Sequence, residues 1–142
     1  MLVKTRDFGD VEVKQQDIIT FVQPIFGFDG FKTFVLLRQD DPDIHFSWLQ
    51  STEDASVCFL TADPREILDN YEVSVKREEA EQLGGGGLLY LVLAAIRDPI
   101  DQSTVNLKSP IALNPQTGRA MQVILDADYP IRHLLIPPKE DA

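Results

Sequence analysis

A chain of 142 residues suits one domain and is short for two, and a domain of this size buries roughly 68% of its unfolded surface. With 44% hydrophobic and 25% charged residues, the composition excludes the disordered and fibrous classes. Asp and Glu outnumber Lys and Arg by 23 to 13, a formal charge of -10, which argues against binding nucleic acid or an anionic membrane through phosphate neutralisation.

In chain order, Met1 to Asp10 carries charges and no apolar run, so no signal peptide is expected. Val11 and Val13 around Glu12 have the period of two that marks a half-buried strand. Phe34 to Leu37 is apolar on both faces and reads as a strand covered on each side. Ile44, Phe46 and Trp48 alternate with His45 and Ser47, which predicts that the large side chains face inward. Val57 to Ala62 is again apolar on both faces. Asp63-Pro64-Arg65-Glu66 then combines an N-cap, a proline suited to the first helical position and a capping-box glutamate, predicting a short helix to about Asn70.

Tyr71, Val73 and Val75 alternate with Glu72 and Ser74 as a further strand, and Arg77 to Leu83 reads as a second short helix stopped by Gly84. Gly84 to Gly87 lacks the Lys-Ser/Thr of a phosphate loop and reads as a flexible connection. Leu88 to Ile96 is a long strand of nine apolar residues, where a membrane helix needs about 20. Met121, Val123 and Leu125 continue the alternation. Turn signals such as Asp29-Gly30, Asp98-Pro99 and Asn114-Pro115-Gln116-Thr117-Gly118 separate these runs. The pattern predicts an all-β (mainly β) fold over 1-142: a single-domain, antiparallel β-barrel-like structure with one or two short helices. Phe21, Phe34, Phe46, Trp48, Phe59, Tyr71 and Val123 are expected to share one core.

The chemical inventory is thin. His45 and His133 are the two histidines, and no His-x-x-x-His or Cys-x-x-Cys spacing exists for a metal. Cys58, between Val57 and Phe59, is expected to be a buried thiol of raised pKa, and a lone cysteine suits a reducing cytoplasm. Asp40-Asp41-x-Asp43 lacks the glycine and distal glutamate of a calcium loop. No catalytic residue, metal, cofactor, small-molecule substrate or membrane partner is expected. Charge distribution says more: residues 40 to 81 hold 12 acids against Arg65, Lys76 and Arg77. That concentration is either a solvated face or a steering surface for a basic partner.

Short strings in the sequence also resemble one family. They are Ile19-Thr20-Phe21 leading to Pro24-Ile25-Phe26-Gly27-Phe28, Trp48-Leu49-Gln50-Ser51, Phe59 with Asp63-Pro64, Thr104-Val105-Asn106-Leu107-Lys108-Ser109-Pro110-Ile111, and Gln122-Val123-Ile124-Leu125. In this order they resemble the bacterial flagellar assembly factor family, FliW. The family usually has Gly-Ile-Pro-Gly-Phe where this chain has Pro24 to Phe28. The resemblance implies a cytoplasmic, non-enzymatic β-barrel that binds flagellin as a chaperone. In the alternative it would bind the carbon storage regulator CsrA, an RNA-binding repressor, and so relieve repression of flagellin translation.

Carried across by position, the resemblance places the flagellin surface at Phe28, Asn106, Leu107, Lys108 and Pro110. Charge points to Asp40, Asp41, Asp43, Glu53, Asp54, Glu66, Asp69 and Glu72 for the regulator. The competing readings are a lipocalin-like cup, which needs a cavity of several hundred Å³, and an oligonucleotide-binding barrel, which the charge disfavours.

Overall fold

Period-two alternation closes on itself in this chain. The computed structural model describes residues 1–38 and 46–135. Its strands are β1 (Leu2–Lys4), β2 (Asp10–Glu12), β3 (Ile19–Phe21), β4 (Thr33–Arg38), β5 (Phe46–Ser51), β6 (Cys58–Ala62), β7 (Leu89–Ala95), β8 (Thr104–Val105), β9 (Ile111–Leu113), β10 (Arg119–Gln122) and β11 (His133–Leu134). Neighbours β3, β4, β5, β6, β7, β9 and β10 form a closed seven-stranded barrel. Every ladder is antiparallel except β10 with β3, where Ala120 faces Phe21.

Register decides what fills the barrel. Ile19 pairs with Phe34, Leu36 with Leu49, Leu49 with Phe59, and Leu91 with Ile111. Every second side chain therefore enters one shared cluster with Phe21, Leu113 and Ala120. Phe34, with no exposed surface, alone contributes about 2–3 kcal/mol of transfer free energy.

The expectation of one core is corrected to three clusters. Side chains of the opposite parity, Val92, Ala112 and Met121, join a second cluster outside the barrel with Tyr71, Leu83, Leu107, Val123 and Leu125. A third joins Val3 and Val13 of the N-terminal arm to Val35. Runs apolar on both faces are thus strands covered on both sides, as their composition requires.

Phe46, Trp48 and Phe59 are half-buried, and in β5 the inward positions are Ser47, Leu49 and Ser51. Ser51 lies opposite Phe34, a small side chain beside a large one. The Trp48 ring stays outside, edge-on to Phe8 at 5.1 Å. Beside it Gln50 has no exposed surface: its Oε1 accepts from the Arg6 N–H at 2.9 Å and its Nε2 donates to the carbonyls of Ser51 and Ala55. One buried amide pins the N-terminal arm to β5.

The first helix, α1 (Pro64–Ile67), has Asp63 as N-cap, its Oδ1 accepting from the Arg65 N–H at 2.9 Å. It stops short of Asn70 because Leu68 turns extended and joins Ile67 in the outer cluster. Residues 71–75 keep the expected burial alternation but form no strand. Alternation reports an extended chain lying on an apolar surface; it does not report a backbone partner.

The second helix, α2, covers Arg77–Leu83 as expected, with Gly84 in the left-handed conformation. The glycines after it are held, not loose. Gly84, Gly85 and Gly86 all have positive φ, and Asn114 Nδ2 donates to the carbonyls of Leu83 and Gly85 at 2.8 and 2.7 Å. A Cβ on Gly84 would lie 2.7 Å from Thr117 Cγ2. Glycine is needed there for conformation and for space.

Candidate functional site

The long apolar run of β7 outlasts the barrel. Its first residues, Leu89 to Leu91, pair with β9, whereas Ala94 and Ala95 pair with β8, which in turn pairs with β11. The end of β7 with β8 and β11 makes a three-stranded flap. Arg97 continues from β7, its N–H donating to Ser103 Oγ at 2.8 Å, and the loop beyond it contains the cis Asp98-Pro99 bond. A shallow groove of about 220 Å³ crosses the flap, lined by Leu93, Ala94, Ala95, Arg97, Thr104, Asn106, Ile131 and Arg132. Ile131 in the lining is exposed, as are Leu134 on β11 and Ile96 and Ile100 in the chain that follows β7, exposed apolar groups of the kind that mark interaction surfaces.

The flagellin-surface residues expected from the motif divide here. Asn106 lines the groove, its own N–H donating to the Leu93 carbonyl at 3.0 Å. Its Oδ1 accepts from the N–H groups of Lys108 and Ser109 at 3.1 and 3.0 Å, an Asx turn that explains the need for Asn. Leu107 has no exposed surface, and its carbonyl takes the Tyr71 hydroxyl at 2.6 Å. Its side chain packs in the outer cluster beneath the surface. Lys108 Nζ donates to the Ala127 carbonyl at 2.8 Å, and Pro110 is buried, its carbonyl accepting from the Val123 N–H.

Phe28 lies apart from this turn. It packs edge-on against Phe59 at 4.8 Å in the barrel cluster, which also takes in Leu93. Gln122 ties the Phe28 turn to the motif, its Oε1 accepting from the Phe26 N–H and its Nε2 donating to the Ser109 carbonyl, both at 3.0 Å. Positive φ in that turn falls on Gly27, so Pro24 meets no such demand. Leu93, Ala95, Arg97, Ile131 and Arg132 were not singled out by motif. For Leu93 and Ala95 the available signal was a strand longer than its barrel; for Ile131 and Arg132 the sequence held none.

The acidic residues form no single patch among those described. Glu53 and Asp54 lie in the turn before β6, whereas Glu66, Asp69 and Glu72 follow it, so a strand about 16 Å long separates the groups. Asp40, Asp41, Asp43 and His45 lie outside the described residues. Hydrogen bonds from the Ser56 hydroxyl and N–H hold the Asp54 carboxyl below its ordinary range. Glu53 Oε2 accepts from the Lys32 N–H.

Little here assembles for catalysis. Among the described residues no three His, Cys, Asp or Glu groups are close enough to hold a metal ion. Burial pushes the Cys58 thiol up, partly offset by Arg6. A second cleft, of about 320 Å³, lies between α1 and β7 and is lined by Arg38, Ser47, Asp63, Arg65, Tyr90 and Leu89 among others. It has the size a ligand site needs, but it lies at the rim, and the interior that a cup would leave open is filled by the barrel cluster. Among the described residues no helix is long and apolar enough to cross a membrane.

A seven-stranded barrel with a packed interior, two covered outer faces and an open flap defines the class: a small, solid-cored β-barrel. A family model described as FliW protein matches residues 2–135. The chain belongs to the FliW family. It is 32% identical to the flagellar assembly factor FliW of Caldanaerobacter subterraneus subsp. tengcongensis, over 100% of this chain and 97% of that protein. Identity to the flagellar assembly factor FliW of Ruminiclostridium cellulolyticum is 33%, over 96% and 95%. A crystal structure of the flagellar assembly factor FliW superposes with a TM-score of 0.90 at 33% identity, covering 98% of this chain and 99% of that one.

Proposed function

We propose that this chain is a cytoplasmic, non-enzymatic flagellar assembly factor that binds flagellin at the flap and, in the alternative, binds CsrA. The observation that carries the reading is the match to relatives named flagellar assembly factors over nearly the whole of both chains. The fold suits binding without chemistry, since its interior is packed and its open apolar surface is outside. Asn106, with Lys108 beside it, contributes contacts from the flap, while Leu107, Pro110 and Phe28 hold that surface in place. Flagellin occupying the factor would release CsrA to repress flagellin translation, which requires competing affinities only.

Capture of CsrA is proposed to depend on the acidic stretch that includes Asp40, Asp41, Asp43, Glu53, Asp54, Glu66, Asp69 and Glu72. Surface plasmon resonance with flagellin and CsrA from the same genome tests the reading. Both bind the immobilised factor, flagellin reduces CsrA capture, and CsrA association slows steeply with salt as the Debye length shrinks from about 10 Å at 0.1 M. Absence of flagellin binding overturns the flagellin assignment, and equal salt slopes for the two partners overturn the acidic one.

A further inference from the structure

The flap groove is basic and apolar in a chain whose net charge is -10. Leu93 and Ala95 line it as apolar groups, and Ile131 at its rim is 63% exposed. Arg97 and Arg132 line it too, both exposed, and neither has an ion-pair or hydrogen-bond partner for its guanidinium among the described residues. No acidic side chain is in the lining. Residues 89–108 and 131–135 together hold Arg97, Lys108 and Arg132 against Asp98 and Asp101, in a chain of net charge -10.

A third group completes the arrangement. The Oδ1 of Asn106 is spent on its turn, but its Nδ2 has no partner among the described residues. The groove therefore offers an apolar floor, an amide donor suited to a peptide carbonyl, and two guanidiniums whose planar forks match carboxylates.

We infer that the flap groove docks a short peptide segment in which an aliphatic side chain is flanked by carboxylates, the aliphatic group on Leu93 and Ala95 and the acids on Arg97 and Arg132. The space is small enough to hold one or two aliphatic side chains and not a folded domain. An acidic peptide is favoured over nucleic acid because a run of phosphates would extend over a chain of net charge -10, whereas one or two carboxylates need only the two guanidiniums of the groove. The inference deepens the flagellin reading by naming the chemistry of the segment bound, and it rests on that reading only for attributing the segment to flagellin.

The test does not use flagellin, so its failure is distinct from failure of that reading. A phage library of random twelve-residue peptides is selected on the wild-type protein, and the strongest binder is synthesised and measured by fluorescence anisotropy. The expected result is a consensus with Asp or Glu on either side of a Leu, Ile or Val. Binding to the Arg97→Gln/Arg132→Gln variant falls by about tenfold or more, and changing the peptide's acids to amides costs the variant nothing further. Both arginines are exposed, so unchanged melting is expected; each single variant is measured as well, and each alone weakens binding.

A consensus without acids overturns the inference. So does equal affinity for the double variant, failure to enrich any peptide, preferential capture of a single-stranded oligonucleotide, or a homodimer by light scattering that the double variant dissolves.

Discussion

Two asparagines show how one local device serves two ends. Asn114 and Asn106 both open a turn by accepting the N–H groups two and three residues on. They differ in the amide nitrogen. Asn114 is 1% exposed and spends its Nδ2 on the carbonyls of Leu83 and Gly85, which fixes the glycine run after α2. Asn106 is half-exposed at the flap groove, with its Nδ2 unengaged by the described residues. A fully satisfied polar group stabilises a fold, whereas one left open at a surface is available to a partner.

The comparison breaks if the two positions respond alike. Asn114→Ala takes the amide donor from the Leu83 and Gly85 carbonyls, leaving Leu83 only the Thr117 hydroxyl, and frees the N–H groups of its turn; it should cost about 3 kcal/mol, measured by urea unfolding. Gly84→Ala probes the same lock from the other side. Its φ of +96° and the close approach of Thr117 Cγ2 predict a loss of about 2 kcal/mol, eased by the further change Thr117→Ser, which removes the clashing methyl and keeps the hydroxyl bond to Leu83.

Tyr71 joins the comparison to pH. Burial raises its hydroxyl pKa well above the ordinary 10.0, and the hydroxyl donates to the Leu107 carbonyl behind the Asn106 turn. Above about pH 10 the unfolded chain releases this proton while the folded chain keeps it, so the stabilisation is complete below that pH and is lost as pH rises. Unfolding free energy should fall by up to about 1.4 kcal/mol per pH unit from this group, and Tyr71→Phe should flatten that slope. Asn106→Ala should be mildest for stability, about 1 kcal/mol, yet weaken flagellin binding, a separation that Asn114→Ala cannot give. Leu107→Ala is no surface probe, because emptying a fully buried site costs about 2–5 kcal/mol.

The sequence made the barrel legible where strands are covered on both sides, because Phe34 to Leu37, Val57 to Ala62 and Leu88 to Ile96 leave no polar face. Asp63 and Gly84 marked helix ends for local reasons, and both hold. Which face of β5 turns inward was not legible: register with β4 and β6, which sets Leu49 opposite Leu36 and Phe59, places Ser47 inside and Trp48 outside. Residues 71–75 misled because burial alternates without sheet pairing. At the flap, Asn106 was visible through its motif, but Arg97 and Arg132 were not, since only folding brings β7 and the β11 approach to one groove. The acidic stretch is continuous in sequence and divided in space, as β6 runs between its described parts.

On the proposed reading the flap, not the barrel, is the flagellin surface. A titration of ¹⁵N-labelled protein with monomeric flagellin, followed by amide chemical shifts, tests it most directly. Changes should concentrate at Leu93 to Asn106 and Ile131 to Leu134, with β1, β2 and the Gly84 to Gly87 run unmoved. Shifts confined to the N-terminal arm or to the cleft beside α1, with the flap silent, would contradict it.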